Sequence, residues 1–307
     1  MIQRLLPFLT LGVLTIALAV ASPHFLTPAN LASVARQTAV INIMALGMTL
    51  IIIAGGIDLS AGAILAFAGL MGTMAMEGGM SVPAGVAAGV LAGLFWGFVN
   101  GVLTTRLRIN PFIVTLGTLG VVRGITLIIS GGLPVHRVPA GFAFLGGGTL
   151  LGVPFVLWIV AACGLAVHAV LEHTRLGRYA FAIGSNPDAA WYTGIPVEFH
   201  TAAVYAIGGM LTGLAGMVEA SRLMTGQPTA GQGYELQAIA AVVIGGGSLR
   251  GGEGSVPGTL VGAFIMGLLS NGSDLLGISP YLQQALIGAV IILAVFADEL
   301  RKRKLGT

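Results

Sequence analysis

Four stretches of this chain carry polar side chains among neighbours that are almost all apolar. The first is Ala54-Gly55-Gly56-Ile57-Asp58-Leu59-Ser60-Ala61-Gly62. Gly55 and Gly56 break a helix there, and Ser60 is placed to cap the next one, with Asp58 near its positive end. An acid this close to apolar sequence needs a partner, which makes Asp58 a functional candidate; a tight hairpin whose Asp only satisfies backbone donors is the structural alternative. The second runs from Asn110 through Pro111 to Thr118. Pro111 suits a first helical turn. At about 100° per residue, Thr115, Thr118 and Thr126 share one stripe. Such hydroxyls can line a hydrated route for a polyol or bond back to their own helix. Arg123 lies off that stripe and is expected to reach toward the outer interface.

In the third stretch Thr201, Tyr205, Gly208, Thr212, Gly216 and Glu219 fall within an arc of about 80°. That small-and-polar face either packs closely on another helix or borders water; it does not face lipid. Glu219 and Arg222, three apart, are expected to pair. The fourth is the segment from Thr174 to Ile195, which includes Gly177 and Arg178. Asn186 is a good helix cap, Pro187 fits the first turn and Asp188 favours the positive end. Ala189 to Thr193, which include Ala190, then make a short helix that Gly194 ends, just before Ile195. A short capped helix of this kind can dock in a groove on a soluble partner or serve as a surface connector.

The elements that must hold these residues follow from composition. Of 307 residues, 56% are hydrophobic and 8% charged, against about 25% charged in an average soluble chain. Mean hydropathy is +0.96. The apolar residues fall into blocks long enough for helices that cross a bilayer, and the alternation of a transmembrane barrel is absent. The expected fold is therefore all-α, a polytopic transmembrane helical bundle. About ten spans are expected, near 5–22, 37–54, 60–77, 82–104, 111–130, 151–171, 199–221, 235–249, 257–271 and 281–297. The eighth and ninth are short and joined by a Gly-rich stretch, so a broken or re-entrant segment is expected there. The 48 glycines let helix backbones approach closely.

Charge sets the expected orientation. With both termini cytoplasmic, Arg4, Arg106, Arg108, Arg175, Arg178, Arg250 and the basic tail Arg301, Lys302, Arg303 and Lys304 fall inside, against Arg36, Arg137 and Arg222 outside. The same tail, placed directly after an apolar block, explains the net charge of +3 as a membrane-edge anchor rather than a nucleic-acid surface. Membrane lipid is thus an expected partner and nucleic acid is not. The whole chain, 1–307, reads as one transmembrane domain with a cytoplasmic loop at about 172–198, since no connection is long enough to bury a core of its own. Cys163 is the sole cysteine, which leaves no internal disulfide and no thiol metal cluster. No cofactor or metal is implied. No GxxxxGK[ST] phosphate loop occurs, so the chain does not read as an enzyme and any ATPase that drives it is another polypeptide.

Taken in order, GGIDLSAG, NPFIVTLGT, RLGRYAFAIGSNPDAAWYTGI and GYELQAIAAVVIGGGSLRGGEGSVPGT resemble the ribose/xylose/galactoside-type permeases of ABC importers, from about the second span to the tail. The resemblance implies a multi-pass protein of the bacterial inner membrane that translocates a monosaccharide by alternating access. It implies a second permease subunit, identical or not, a cytoplasmic ABC ATPase, and a periplasmic or lipid-anchored sugar-binding protein. It also implies that Asn186, Ala189, Ala190, Gly194 and Ile195 belong to a coupling helix. Gly55, Gly56, Asp58 and Ser60 match one family motif, and Asn110, Pro111 and Thr115 another; Gly245, Gly246, Gly251, Gly252 and Gly254 match the last. The expected coupling set is Gly177, Arg178, Asn186, Asp188, Ala189, Ala190, Gly194 and Ile195; the expected pathway set is Gly55, Gly56, Asp58, Ser60, Asn110, Thr115, Thr118 and Thr212. Two alternatives stay open from sequence: a permease for branched-chain amino acids or nucleosides, which shares the architecture, and an ion-coupled secondary transporter, for which His168 is the main candidate within a span.

Overall fold

The computed structural model describes residues 2–305 of the chain. It is 76% helical. Among the described residues thirteen α-helices follow one another. They are α1 (Ile2–Ala21), α2 (Pro28–Ile53), α3 (Ala61–Glu77), α4 (Val82–Arg106), α5 (Pro111–Ser130), α6 (Ala143–Gly147), α7 (Phe155–His173), α8 (Arg175–Ser185), α9 (Pro187–Tyr192), α10 (Val197–Leu223), α11 (Tyr234–Ile244), α12 (Val256–Leu275) and α13 (Pro280–Leu305). Among the described residues, the only paired strands form a small antiparallel hairpin, with Thr149 opposite Pro154 and Leu150 opposite Val153.

Among the described residues six helices are long and apolar enough to cross a membrane: α2, α4, α5, α7, α10 and α12. Shorter apolar helices lie at Leu6–Ala21, Ala61–Glu77, Tyr234–Ile244 and Tyr281–Leu293. The two segments expected to be short differ from each other. Residues 256–275 form a full 20-residue helix, whereas α11 has only 11 residues. At about 1.5 Å per residue α11 covers roughly half a bilayer core. The basic run Arg301, Lys302, Arg303 and Lys304 lies on the last turns of α13, with its side chains outside the described residues.

The core is built around α2, which is buried on all sides from Thr38 to Ile53. A helix apolar all round belongs in an interior, and α10, α11, α12 and α7 enclose this one. The most extensive helix–helix contact among the described residues is between α10 and α4. Gly85, Gly89, Gly93, Gly97 and Gly101 recur every fourth residue along the buried face of α4. A Cβ on Gly93 would collide with the Gly209 carbonyl oxygen, and one on Gly209 with that of Gly93. Two backbones in such contact gain dispersion and exclude lipid, which the glycine count of the sequence anticipates.

Candidate functional site

Between α2 and α3 the chain does not form an exposed hairpin. Gly55 turns it with a φ of +80°, and residues 56–60 run inward among α4, α5 and α10. The Ile57 carbonyl accepts hydrogen bonds from the Tyr205 hydroxyl at 3.1 Å and from Thr115 Oγ1 at 3.3 Å. Gly56 lies so close to the Tyr205 ring that a Cβ there would come within 2.5 Å of its hydroxyl oxygen.

Asp58 is 1% exposed. Its Oδ1 accepts from the Ser60 backbone N–H at 2.8 Å, from Ser60 Oγ at 2.5 Å and, at the limit of hydrogen-bond reach, from Asn100 Nδ2 at 3.5 Å. Asn100 Nδ2 also donates to Ser60 Oγ at 2.8 Å. The capping expected of Ser60 does not occur, because its hydroxyl is turned back to Asp58 and makes no bond to the first turn of α3. The partner that a buried carboxyl requires is this ring of hydroxyl and amide donors on two helices.

The structure thus brings Gly56, Asp58, Ser60 and Thr115 into one buried cluster, with Gly55 at its edge. It does not bring in the other expected pathway residues. Asn110 caps α5 at an exposed foot, its Oδ1 accepting from the Phe112 N–H at 2.9 Å. Thr118 and Thr126 are buried within the subunit, and Thr126 bonds back to the Val122 carbonyl. Thr212 bonds back to the Gly208 carbonyl at 3.0 Å and is also buried. The expected Glu219–Arg222 pair forms a two-pronged contact, at 3.0 and 2.9 Å.

Asn100 belongs to the cluster although sequence reasoning passed over it. The available signal was an amide in an otherwise apolar helix. Arg123 lies off the threonine stripe as expected, but it does not end in solvent. Its Nη1 donates to the carbonyls of Pro228 and Ala230, at 2.7 and 3.0 Å, and so fastens the non-helical segment that precedes α11.

The expected short helix of the connection between α7 and α10 is α9. Asn186 caps it by accepting from the Ala189 N–H at 2.9 Å, and Pro187 occupies its first turn. Gly194 follows with a φ of +84°, a conformation that suits glycine at a helix end. Ala190 is buried, and the Ile195 N–H donates to its carbonyl at 3.1 Å. Asp188, Trp191 and Tyr192 are exposed, Tyr192 to 80%. Ahead of α9 lies a helix that the sequence reading did not separate, α8. Gly177 seats it against α7, where a Cβ would collide with the carbonyls of Val170 and Leu171. Arg178 stays exposed, and Tyr179 sets its ring edge-on to His200 of α10 at 4.7 Å. Beside α9 a cavity of about 620 Å³ opens, lined by Phe98, Val102, Trp191, Ile195 and Phe199. Arg106 and Glu198 approach to 3.5 Å at its rim.

The model of the family described as "Branched-chain amino acid transport system / permease component" matches residues 30–295. The chain belongs to this permease family. The ribose import permease protein of Escherichia coli strain K12 is 44% identical over 294 residues, 94% of this chain and 92% of that relative. That of Bacillus subtilis strain 168 is 41% identical, over 96% of this chain and 92% of its own. The D-allose transport system permease protein of Escherichia coli strain K12 is 36% identical, over 95% and 90%. No solved structure matches the chain. The resemblance carried by the four sequence motifs is therefore that of a member of the permease family.

Proposed function

We propose that this permease is the transmembrane subunit of an ATP-binding-cassette importer in the bacterial inner membrane, and that it carries a monosaccharide of the ribose, allose or arabinose kind. The observation that carries this reading is the 44% identity to a ribose import permease over 94% of the chain. In this reading the whole chain is one domain that crosses the bilayer about ten times. Both termini and the segment 172–198 lie in the cytoplasm. A second permease subunit completes the route, a separate ABC ATPase supplies the energy, and a sugar-binding protein delivers the cargo from outside.

Coupling is assigned to α8 and α9 with the residues that frame them: Gly177, Arg178, Asn186, Asp188, Ala189, Ala190, Gly194 and Ile195. ATP binding closes the ATPase pair and pushes on α9, whose Trp191 and Tyr192 rings are exposed. The motion passes through α8 to α7 and α10. Since α10 holds the Ile57 carbonyl through Tyr205, the push reaches the segment that carries Gly55, Gly56, Asp58 and Ser60. That segment, with Asn110, Thr115, Thr118 and Thr212, is assigned to the moving walls of the pathway. The free energy for the cycle comes from the ATPase's different affinities for its nucleotide states, so the permease needs only weak contacts with sugar.

The family description favours a second reading, a branched-chain amino acid as cargo. Uptake of radiolabelled D-ribose, D-allose, L-arabinose and L-leucine by cells with and without the gene separates the two. Loss of one of the sugars supports the first reading. Loss of leucine alone establishes the second, and unchanged uptake of all four refutes both.

A further inference from the structure

The segment between α10 and α11 is polar and non-helical, yet it lies beside α3 for much of that helix's length. Gly226 sits against Leu70 and Thr73, and Gly231 against Gly62 and Leu65. The eight residue steps from Gly62 to Leu70 correspond to about 12 Å along the bundle. Irregular backbone at such depth is tolerated only inside protein or along a water-filled cavity. The back of the segment is held by protein: Gly226 exchanges two backbone bonds with Val135, Thr225 Oγ1 donates to the Val135 carbonyl, and Arg123 donates to Pro228 and Ala230.

Its front is open. Thr229 and Gln232 are exposed, Gln227 and Gln237 are half-buried, and Gln227 Nε2 donates to Thr229 Oγ1 at 2.8 Å. On α5, whose Arg123 reaches the segment, Gly117, Gly120 and Gly124 have nothing within 4 Å of a Cβ position. In contrast with α4, where every glycine of the buried ridge is filled by a neighbour, no element of this subunit packs on this face, which also exposes Ile113, Leu116 and Leu127.

We propose that Gln227, Thr229, Gln232 and Gln237 form a ledge on the translocation route that hydrogen-bonds the hydroxyls of a neutral monosaccharide as it passes. All four groups both donate and accept, and none is charged, which suits hydroxyls. An amino acid would require fixed charges for its carboxylate and ammonium. The charged groups around it are engaged elsewhere: Arg123 donates to backbone carbonyls, Glu235 lies against Gly62, and Glu219, which shares a small pocket with Gln227, is paired with Arg222. The ledge rests on the sugar-permease reading above.

The test uses the assembled transporter in proteoliposomes, with Cys163→Ala as background and D-ribose as probe. Gln232→Cys should react with a charged, membrane-impermeant maleimide, and D-ribose should slow that reaction. Separately, Gln227→Ala and Gln232→Ala should each raise the KM for D-ribose uptake about fivefold, the loss of roughly one hydrogen bond, with kcat changed less than KM. Two results overturn the ledge while leaving the transport reading intact: Gln232→Cys that is unreactive or forms a disulfide with its counterpart in a second subunit, or a KM that does not move. Failure of the unsubstituted protein to carry any of D-ribose, D-allose or L-arabinose sinks the sugar-permease reading, and the ledge with it.

Discussion

Tyr205 of α10 and Ile57, two residues far apart in the chain, meet through one hydrogen bond of 3.1 Å from hydroxyl to carbonyl. The bond joins α10, the longest of the described helices, to the segment that carries Asp58; Tyr205 is buried and Ile57 half-buried. It ties α10, into which the connection carrying α8 and α9 leads, to the polar cluster around Asp58.

Removing that link should be measurable. Tyr205→Phe keeps the ring and deletes the bond, at a cost of about 1 kcal/mol. Thr115→Val alone should cost no more, because Tyr205 still serves the carbonyl. The double variant leaves the Ile57 carbonyl oxygen without either donor, and its penalty should exceed the sum of the two. Thermal unfolding midpoints in detergent for the four proteins check this; a strictly additive result refutes the shared-acceptor account.

The glycine ridge makes a second, contrasting forecast. Gly93→Leu forces α4 from α10 and should abolish recovery of folded protein from membranes, while Gly120→Ala on the open face of α5 should leave it unchanged. Comparable loss in both would show that the two faces do not differ in packing.

Much of this arrangement was legible in the chain. Asn186, Pro187 and Gly194 announce a capped helix because the cap, the ring and the left-handed stop are all local. The broken eighth segment was foreshadowed by its Gly-rich neighbourhood. What could not be read is which polar partner wins when several are near. Ser60 caps α3 in a local reading, but the fold brings Asn100 alongside and its hydroxyl goes to Asp58. Thr115 and Thr118 share a stripe in either reading. Only the packed bundle shows that the stripe faces α3 and the Ile57 carbonyl, leaving α5 to present its glycines outward. Periodicity reports that a helix has two faces and not which neighbour each will meet.

Capping of α9 yields a third forecast. Asn186→Ala should cost that short helix about 1 kcal/mol and loosen its docking, so that more ATP is hydrolysed per sugar delivered. Asn186→Asp, which can still accept from the Ala189 N–H, should restore the ratio. An unchanged ratio in the Ala variant would remove α9 from the coupling path.

The topology is open to a direct probe. With Cys163 replaced by Ala, a cysteine at exposed Thr193 should react with an impermeant thiol reagent only from the cytoplasmic side, in inverted vesicles and not in intact spheroplasts. Labelling from the outside would reverse the orientation and with it the site at which energy enters.

The most direct trial of the whole account is ATP-driven accumulation of D-ribose by proteoliposomes that hold this permease with its ATPase and binding protein, measured for the unsubstituted chain and for Gly194→Arg. The account predicts accumulation that requires all three components, and in the variant normal insertion and continued ATP hydrolysis with uptake lost. Accumulation by the permease alone, or full uptake by Gly194→Arg, would contradict it.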